Sequence, residues 1–277
     1  MKDCDGVAAD PLISLDAWYR GPLGRGVAAA EVSCLEDLLE DAFGYFLLQC
    51  GAWQPFADAL GACRVRHRLL LQPAAEELGG KRADGLSGAV ATTDAGGSGP
   101  GGALVLRAEL TRLPFASDSL DAVVLPHSLD FSPDPHRVLR EVERVLIAEG
   151  RVFLFGFNPL SAWGVRRVWP RRRGVVPWCG SRLTLFRVCD WLRLVGFHVE
   201  VRRMLVFRPP WRRAFSPRLD WVDALGERYW SVLGGVYAVR AVKRLSAVTP
   251  LRSSWKPWPS FLPGQAVKPT ARESSRD

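Results

Sequence analysis

His127, Asn158 and Ser161 are polar residues at the ends of apolar runs, the positions from which a side chain can reach a ligand. His127 ends the run Asp121-Ala-Val-Val-Leu-Pro126, where an imidazole can act as general base or touch a substrate, or else serve as a packed or capping residue. Asn158 and Ser161 follow Arg151-Val-Phe-Leu-Phe-Gly-Phe157, in a stretch that reads either as substrate-facing or as an ordinary Asn-Pro turn. Metal chemistry finds no support. The cysteines at 4, 34, 50, 63, 179 and 189 form no Cys-x-x-Cys pair, and the histidines at 67, 127, 136 and 198 have no His-x-x-x-His spacing.

The elements that must position these residues alternate between strand and helix. Short apolar runs at 45–50, 66–71, 104–107, 121–125, 151–157 and 199–207 read as strands, with a last one at 237–244. Their continuous apolarity suits strands covered on both faces. Asp134 caps a helix that has Pro135 at its first position and Val138, Leu139, Val142, Val145 and Leu146 at helical spacing. Arg137 and Glu141 add an i,i+4 pair, and Gly150 closes the turn into the next strand. A second helix starts at Ser181 or Thr184 and ends at Gly196. Strand, helix, strand in succession predicts an α/β fold with a doubly wound, mostly parallel, seven-stranded sheet. Ligands of such a sheet bind at the carboxyl ends of the strands, here Gln49 to Trp53, Ala108 to Pro114, Pro126 to Asp130 and Phe157 to Ala162.

At those ends the sequence resembles a known family. Glu109-Leu-Thr-Arg-Leu-Pro-Phe-Ala-Ser-Asp-Ser-Leu-Asp-Ala-Val-Val-Leu-Pro-His127, followed by the helix from Asp134, resembles the class I S-adenosylmethionine-dependent methyltransferases with a type-11 methyltransferase domain. Gly156-Phe-Asn-Pro-Leu-Ser161 resembles an uncharacterised proteobacterial subgroup of them. The resemblance covers residues 15 to 210 once a glycine-rich insertion is skipped. It implies a Rossmann-like methyltransferase fold, S-adenosyl-L-methionine as cofactor, and methyl transfer to an unidentified acceptor. It further implies that Glu109 accepts from the adenine amino group, the alternative being a solvated carboxylate beside Arg107 or Arg112, and that Leu110 covers the adenine face. Gly51 and Ala52 would form the cofactor turn after the first strand, Pro126 at the end of the fourth strand would also touch the cofactor, and Asn158 and Ser161 would lie on the substrate side. Two positions depart from the pattern. Ala52 and Trp53 stand where further glycines are usual, and Leu71-Gln72-Pro73 stands where an acid commonly meets the ribose. These departures leave room for a catalytically degenerate methyltransferase-fold binding module.

Composition bounds the rest. A chain of 277 residues with 48% hydrophobic and 24% charged residues is an ordinary globular protein, neither fibrous nor wholly disordered. Its longest uncharged run, residues 42–57, is interrupted by Gly44, Gly51 and Pro55 and is too short to span a bilayer. We expect a cytoplasmic monomer, disordered at 1–14, with one domain over 15–245 that carries a surface insertion at 79–102, and a disordered proline-rich tail at 246–277. Between Gly164 and Ala214 thirteen arginines face only Asp190 and Glu200, a local charge of +11. With Trp163, Trp169, Trp178 and Trp211 interleaved, that segment suits nucleic acid, an anionic membrane surface or a plain basic surface. The remaining tryptophans read mostly as core filler or staples.

Overall fold

A computed structural model of the chain describes residues 11–51, 55–72, 104–166, 176–180, 183–210, 215, 220–230 and 232–244. The chain divides into two units, 1–245 and 246–277; the second, like the expected insertion at 79–102, lies outside the described residues.

Two helices lead the first unit, α1 (Pro11–Tyr19) and α2 (Pro22–Leu39). Strand β1 (Phe43–Cys50) follows, then α3 (Phe56–Ala59), β2 (Arg64–Gln72), β3 (Leu104–Arg107), β4 (Leu120–Pro126), α4 (Ser128–Phe131) and α5 (Pro135–Val145). The chain continues through β5 (Leu146–Phe157), α6 (Ala162–Arg166), α7 (Leu185–Val195), β6 (Phe197–Leu205), α8 (Asp220–Tyr229) and β7 (Val236–Lys243). All seven strands form one sheet in the order β3-β2-β1-β4-β5-β7-β6. The pairs from β3 to β5 are parallel, and β7 runs antiparallel to both β5 and β6. The expected seven-stranded, mostly parallel sheet is therefore present.

The strands are apolar throughout because both faces are covered. Successive residues of a strand point to opposite faces. Leu47, Val124, Phe153 and Phe155 accordingly pack with Leu35, Leu38 and Leu39 of α2. Their neighbours Leu48, Val123, Leu125, Val152 and Leu154 pack with Leu139 and Val142 of α5 and Leu192 of α7.

Local signals at helix ends hold well. The Asp134 side chain accepts from the Arg137 N–H at 3.1 Å, with Pro135 at the first helical position. Thr184 caps α7 in the same way, and Gly196 ends it in the left-handed conformation that glycine adopts without strain.

Three expectations are corrected. Residues 11–14, placed in a disordered N-terminus, belong to α1, whose Leu12 and Leu15 are buried. Glu141 makes its direct ion pair with Arg144 at 2.8 Å, while the Arg137 charge acts on it only from farther away, because the carboxylate also accepts from the Leu113 N–H and so is drawn toward the loop before β4. Gly150 lies inside β5, which begins at Leu146 and loses register with β4 between Leu120 and Ala122.

Candidate functional site at the carboxyl edge of the sheet

Strand order reverses between β1 and β4, which pair directly through Leu47–Ala122, Leu48–Val123 and Gln49–Val124. In an open α/β sheet the crevice for a ligand lies outside the carboxyl ends of the strands at such a point. Gly51 leaves β1 there with φ +112, a conformation strained for any residue with a Cβ. A Cβ on Gly51 would also collide with Ser128 Oγ and come within 2.6 Å of the Pro126 carbonyl oxygen. Ser128 Oγ donates to the Cys50 carbonyl at 2.5 Å, so the ends of β1 and β4 are tied across the switch point.

The other expected cofactor residues lie along the same edge. Glu109 is exposed just beyond β3, where the Thr111 hydroxyl donates to its Oε1. Leu110 packs half-buried against the core, and Pro126 is buried at the end of β4. Ala52 lies outside the described residues.

His127 is where the structure departs most from expectation. Its ring is fully buried, with Nε2 at 3.0 Å from Glu31 Oε1 and Nδ1 at 3.1 Å from Asp130 Oδ2. Phe157 stacks on it with ring centroids 4.0 Å apart. Burial by itself would lower the imidazole pKa, but the charge of Glu31 and the hydrogen bonds to Asp130 and Glu31 outweigh it and raise the value to about 9. The ring is therefore an imidazolium at neutral pH, with both nitrogens engaged inside the protein. This corrects its expected role as a base acting on an acceptor.

The network continues beyond the histidine. Tyr19 donates its hydroxyl to Glu31 Oε2 at 2.8 Å, and burial and the Glu31 charge hold its phenol well above the usual range. Asp130 Oδ2 also accepts from the Phe157 N–H at 2.9 Å, while its Oδ1 is buried without a hydrogen-bond partner. Burial raises the Asp130 carboxyl above its ordinary value. Four side chains thus tie α1 and α2 to the ends of β4 and β5. Glu31 had a signal in the sequence, since it takes a place in the apolar stripe Val27, Ala28, Glu31, Leu35, Leu38. The contact partners, 96 residues apart at Glu31 and His127, had none.

Asn158 and Ser161 are also corrected. Both are buried, and their polar atoms serve the protein itself. Asn158 Nδ2 donates to the carbonyls of Val232 and Gly234 at 2.8 and 2.9 Å, and its Oδ1 accepts from the Leu160 N–H. Ser161 Oγ donates to the Asn158 carbonyl and accepts from the Gly164 N–H. The pair fastens the loop after β5 to the chain entering β7 and leaves no polar atom for an acceptor.

The basic segment is less open than its composition suggests. Trp163 and Trp178 are buried and donate their indole N–H groups to the carbonyls of Arg208 and Trp163, so neither offers a stacking face. Arg203 pairs with Asp37 and Arg208 with Asp223. Trp169, Trp211 and Arg171 to Arg173 lie outside the described residues. Trp221 and Trp230 are exceptions to the expectation that the other tryptophans mostly fill the core, being 61% and 53% exposed.

Among the described residues no group of three or more His, Cys, Asp or Glu side chains is disposed to hold a metal ion. No described helix is long and apolar enough to cross a membrane.

Known proteins share both sequence and fold. A profile described as a methyltransferase domain matches residues 83–154. The uncharacterised protein YafS of Escherichia coli K12 is 42% identical over 217 residues, 78% of each chain. The uncharacterised protein Rv2003c of Mycobacterium tuberculosis is 31% identical over 198 residues, 70% of this chain and 61% of the relative. Among solved structures, a SAM-dependent methyltransferase from Thermotoga maritima superposes with a TM-score of 0.55 at 18% identity, covering 82% of this chain and 94% of that one. The methyltransferase bound to the Trm112 methyltransferase activator from Haloferax volcanii gives 0.53 at 19% identity, covering 83% and 98%. Seven strands in methyltransferase order, the matched domain and the shared identity with YafS together place this chain in the S-adenosylmethionine-dependent methyltransferase family, whose cofactor is S-adenosyl-L-methionine.

Proposed function

We propose that the chain is an active methyltransferase that holds S-adenosylmethionine across the carboxyl ends of β1 to β4. The observation that carries this reading is the switch point between β1 and β4, with Gly51 in a left-handed turn on one side and the exposed Glu109 carboxylate beyond β3 on the other. The donor set suits adenosine. Glu109 accepts from the adenine amino group, Leu110 lies against the adenine face, and the turn at Gly51 runs beside Pro126.

When bound, the cofactor supplies a methyl group on a sulfonium whose departure leaves a neutral thioether. The protein's share of the work is then to position the acceptor and exclude water. Trp18 packs edge-on against Phe157 and Trp163, each with centroids 6.2 Å apart, and this aromatic wall keeps water from the end of β5. His127 holds that wall from behind and takes no proton from the acceptor. The free thiols of Cys34, Cys50, Cys63, Cys179 and Cys189 suit a reducing cytoplasm as the site of action.

Titration calorimetry with S-adenosylmethionine and S-adenosylhomocysteine tests the proposal. Glu109→Ala is expected to weaken binding by about 1.5–3 kcal/mol, roughly ten- to a hundredfold, through loss of a charge-assisted acceptor. Unchanged affinity in that variant rejects the placement of adenine. Absence of binding to the wild-type protein rejects the enzyme reading and leaves the degenerate binding module.

A further inference from the structure

The amino edge of the sheet, opposite the switch point, carries a surface that the cofactor chemistry does not use. β1 pairs with β4 only from Leu47 onward, and β2 pairs with β3 only from Leu69 onward. Residues 43–46 and 64–68 therefore have only each other as strand partners among the described residues, and they run beyond the sheet as a two-stranded ribbon. Asp121 closes the β4 side of this ribbon, its Oδ2 accepting from the Tyr45 and Phe46 N–H groups at 2.9 and 2.8 Å. The last four residues of β1 are buried, whereas Phe43, Tyr45 and Phe46 on the ribbon are 73%, 65% and 41% exposed. Flat partners already lie against two of these rings. His67 stacks on Phe46 with centroids 5.2 Å apart, and the Arg151 guanidinium lies 5.8 Å over Phe43.

The positive charge is on the ribbon itself. Arg64, Arg66 and Arg68 alternate along β2, the first two fully exposed, and Phe43 lies in register with Arg64 as Phe46 does with His67. None of the three arginines has an ion-pair partner among the described residues. Strands β1, β2 and β3 contain no Asp or Glu. The acids of this edge lie toward β4, β5 and β7. Asp121 is occupied by the two amides, Asp41 pairs with Arg240 at 3.7 Å while its carbonyl accepts from Arg151, and Asp118 and Glu143 pair with Lys243. Glu40 and Glu149 are exposed beyond them, off the ribbon. Open rings beside unpaired guanidinium groups suit single-stranded nucleic acid, whose phosphates meet arginine and whose unstacked bases lie on aromatic faces. A second copy of the ribbon would set arginine against arginine.

We propose that residues 43–46 and 64–68 bind single-stranded nucleic acid, with phosphates on Arg64, Arg66 and Arg68 and bases on Phe43 and Tyr45. The binding needs no cofactor, so it stands or falls apart from methyl transfer.

Fluorescence anisotropy of the full chain with labelled RNA and DNA of about twelve nucleotides and one sequence tests it, with the duplex as control. Single strands are expected to bind more tightly than the duplex and to be released by salt, and the stronger of the two names the natural ligand. Phe43→Ser/Tyr45→Ser should bind at least about tenfold more weakly, whereas Phe43→Tyr/Tyr45→Phe keeps the rings and the affinity. Arg64→Gln/Arg66→Gln should reduce the slope of log K against log salt by about 1.4, at roughly 0.7 for each phosphate contact. These side chains are exposed, so each variant should keep the wild-type unfolding midpoint; if Phe43→Ser/Tyr45→Ser does not, Tyr45→Ser alone replaces it. Absence of single-strand binding at low salt overturns the proposal. Wild-type affinity in both the serine and the glutamine variants puts the nucleic acid elsewhere on the chain and overturns it too. Loss in the glutamine variant alone, with the serine variant unaffected, shows plain polyanion attraction and likewise overturns it.

Discussion

The two halves of the carboxyl edge are fastened by different chemistry. At the ends of β4 and β5 a buried imidazolium sits between two carboxylates and joins helices from the start of the chain to the sheet. At the other side, where the chain enters β7, a neutral amide, Asn158, holds backbone carbonyls beneath an exposed aromatic surface. A buried charge is tolerated only when fully partnered, so the first arrangement fixes one geometry and makes its loss severe. An amide clasp carries no charge to strand, and its loss is local. The half at β4 is thus locked from within, and the half near α8 presents itself outward.

The largest expected effect comes from breaking the charged arrangement. His127→Leu leaves Glu31 and Asp130 facing each other without the cation and should destabilise the protein by about 3–5 kcal/mol in urea unfolding. Glu31→Gln keeps one acceptor oxygen for the ring, and its amide N–H can donate to the Tyr19 oxygen in place of the bond it loses, so it should cost distinctly less. A His127→Leu protein within about 1 kcal/mol of the wild type would mean that the network is energetically idle, and the contrast between the two halves would collapse.

The same network predicts a pH dependence. The His127 pKa is raised from 6.5 to about 9 in the folded protein, so the imidazolium's contribution is fully present below pH 6.5. It is lost as pH rises through 9, on the order of 3 kcal/mol over that window at 1.36 kcal/mol per unit. The groups that face the ring are Glu31 from α2, Asp130 from α4 and, through Glu31, the Tyr19 hydroxyl from α1. Unfolding free energies measured from pH 6 to 9.5 should fall in the wild type, and His127→Gln should flatten that fall. Equal slopes in the two proteins would show that the ring is neutral in the fold.

How far the sequence revealed this contrast depends on the range of each interaction. Strands β1 to β7 were visible because cover on both faces makes them continuously apolar, and the caps Asp134, Thr184 and Gly196 act within three residues of themselves. The family motif around Glu109 and Leu113-Pro114 lies beyond β3, on the edge proposed to hold the cofactor. Helices α1, α2 and α8 went unseen. In α2, Gly24, Gly26 and Glu31 interrupt the apolar pattern, and α8 turns Trp221, Leu225 and Tyr229 outward, against the rule that apolar spacing marks a buried face. His127, Asn158 and Ser161 were placed correctly at strand ends, where the sequence left a ligand-facing and an internal role open for each stretch. Residue type showed that they could make hydrogen bonds, but Glu31, Val232 and Gly234 reach them only through the fold.

The smallest effect sharpens the comparison from the other side. Asn158→Ala removes two donors from the carbonyls of Val232 and Gly234 and one acceptor from the Leu160 N–H. The lost hydrogen bonds should cost about 1–3 kcal/mol, below the cost of His127→Leu, because no ion is left unpaired. The loss should also be the same at pH 6 and pH 9, since an amide does not titrate. Hydrogen exchange should rise in the amides of 232–235, where the Asn158 N–H donates to the Gly235 carbonyl and the Gly235 N–H to Val206, while the backbone of α1 and α2 keeps its protection. If protection were lost in α1 and α2 as well, the two fastenings would be one cooperative unit, and the division of the edge into a locked half and a presented half would not stand.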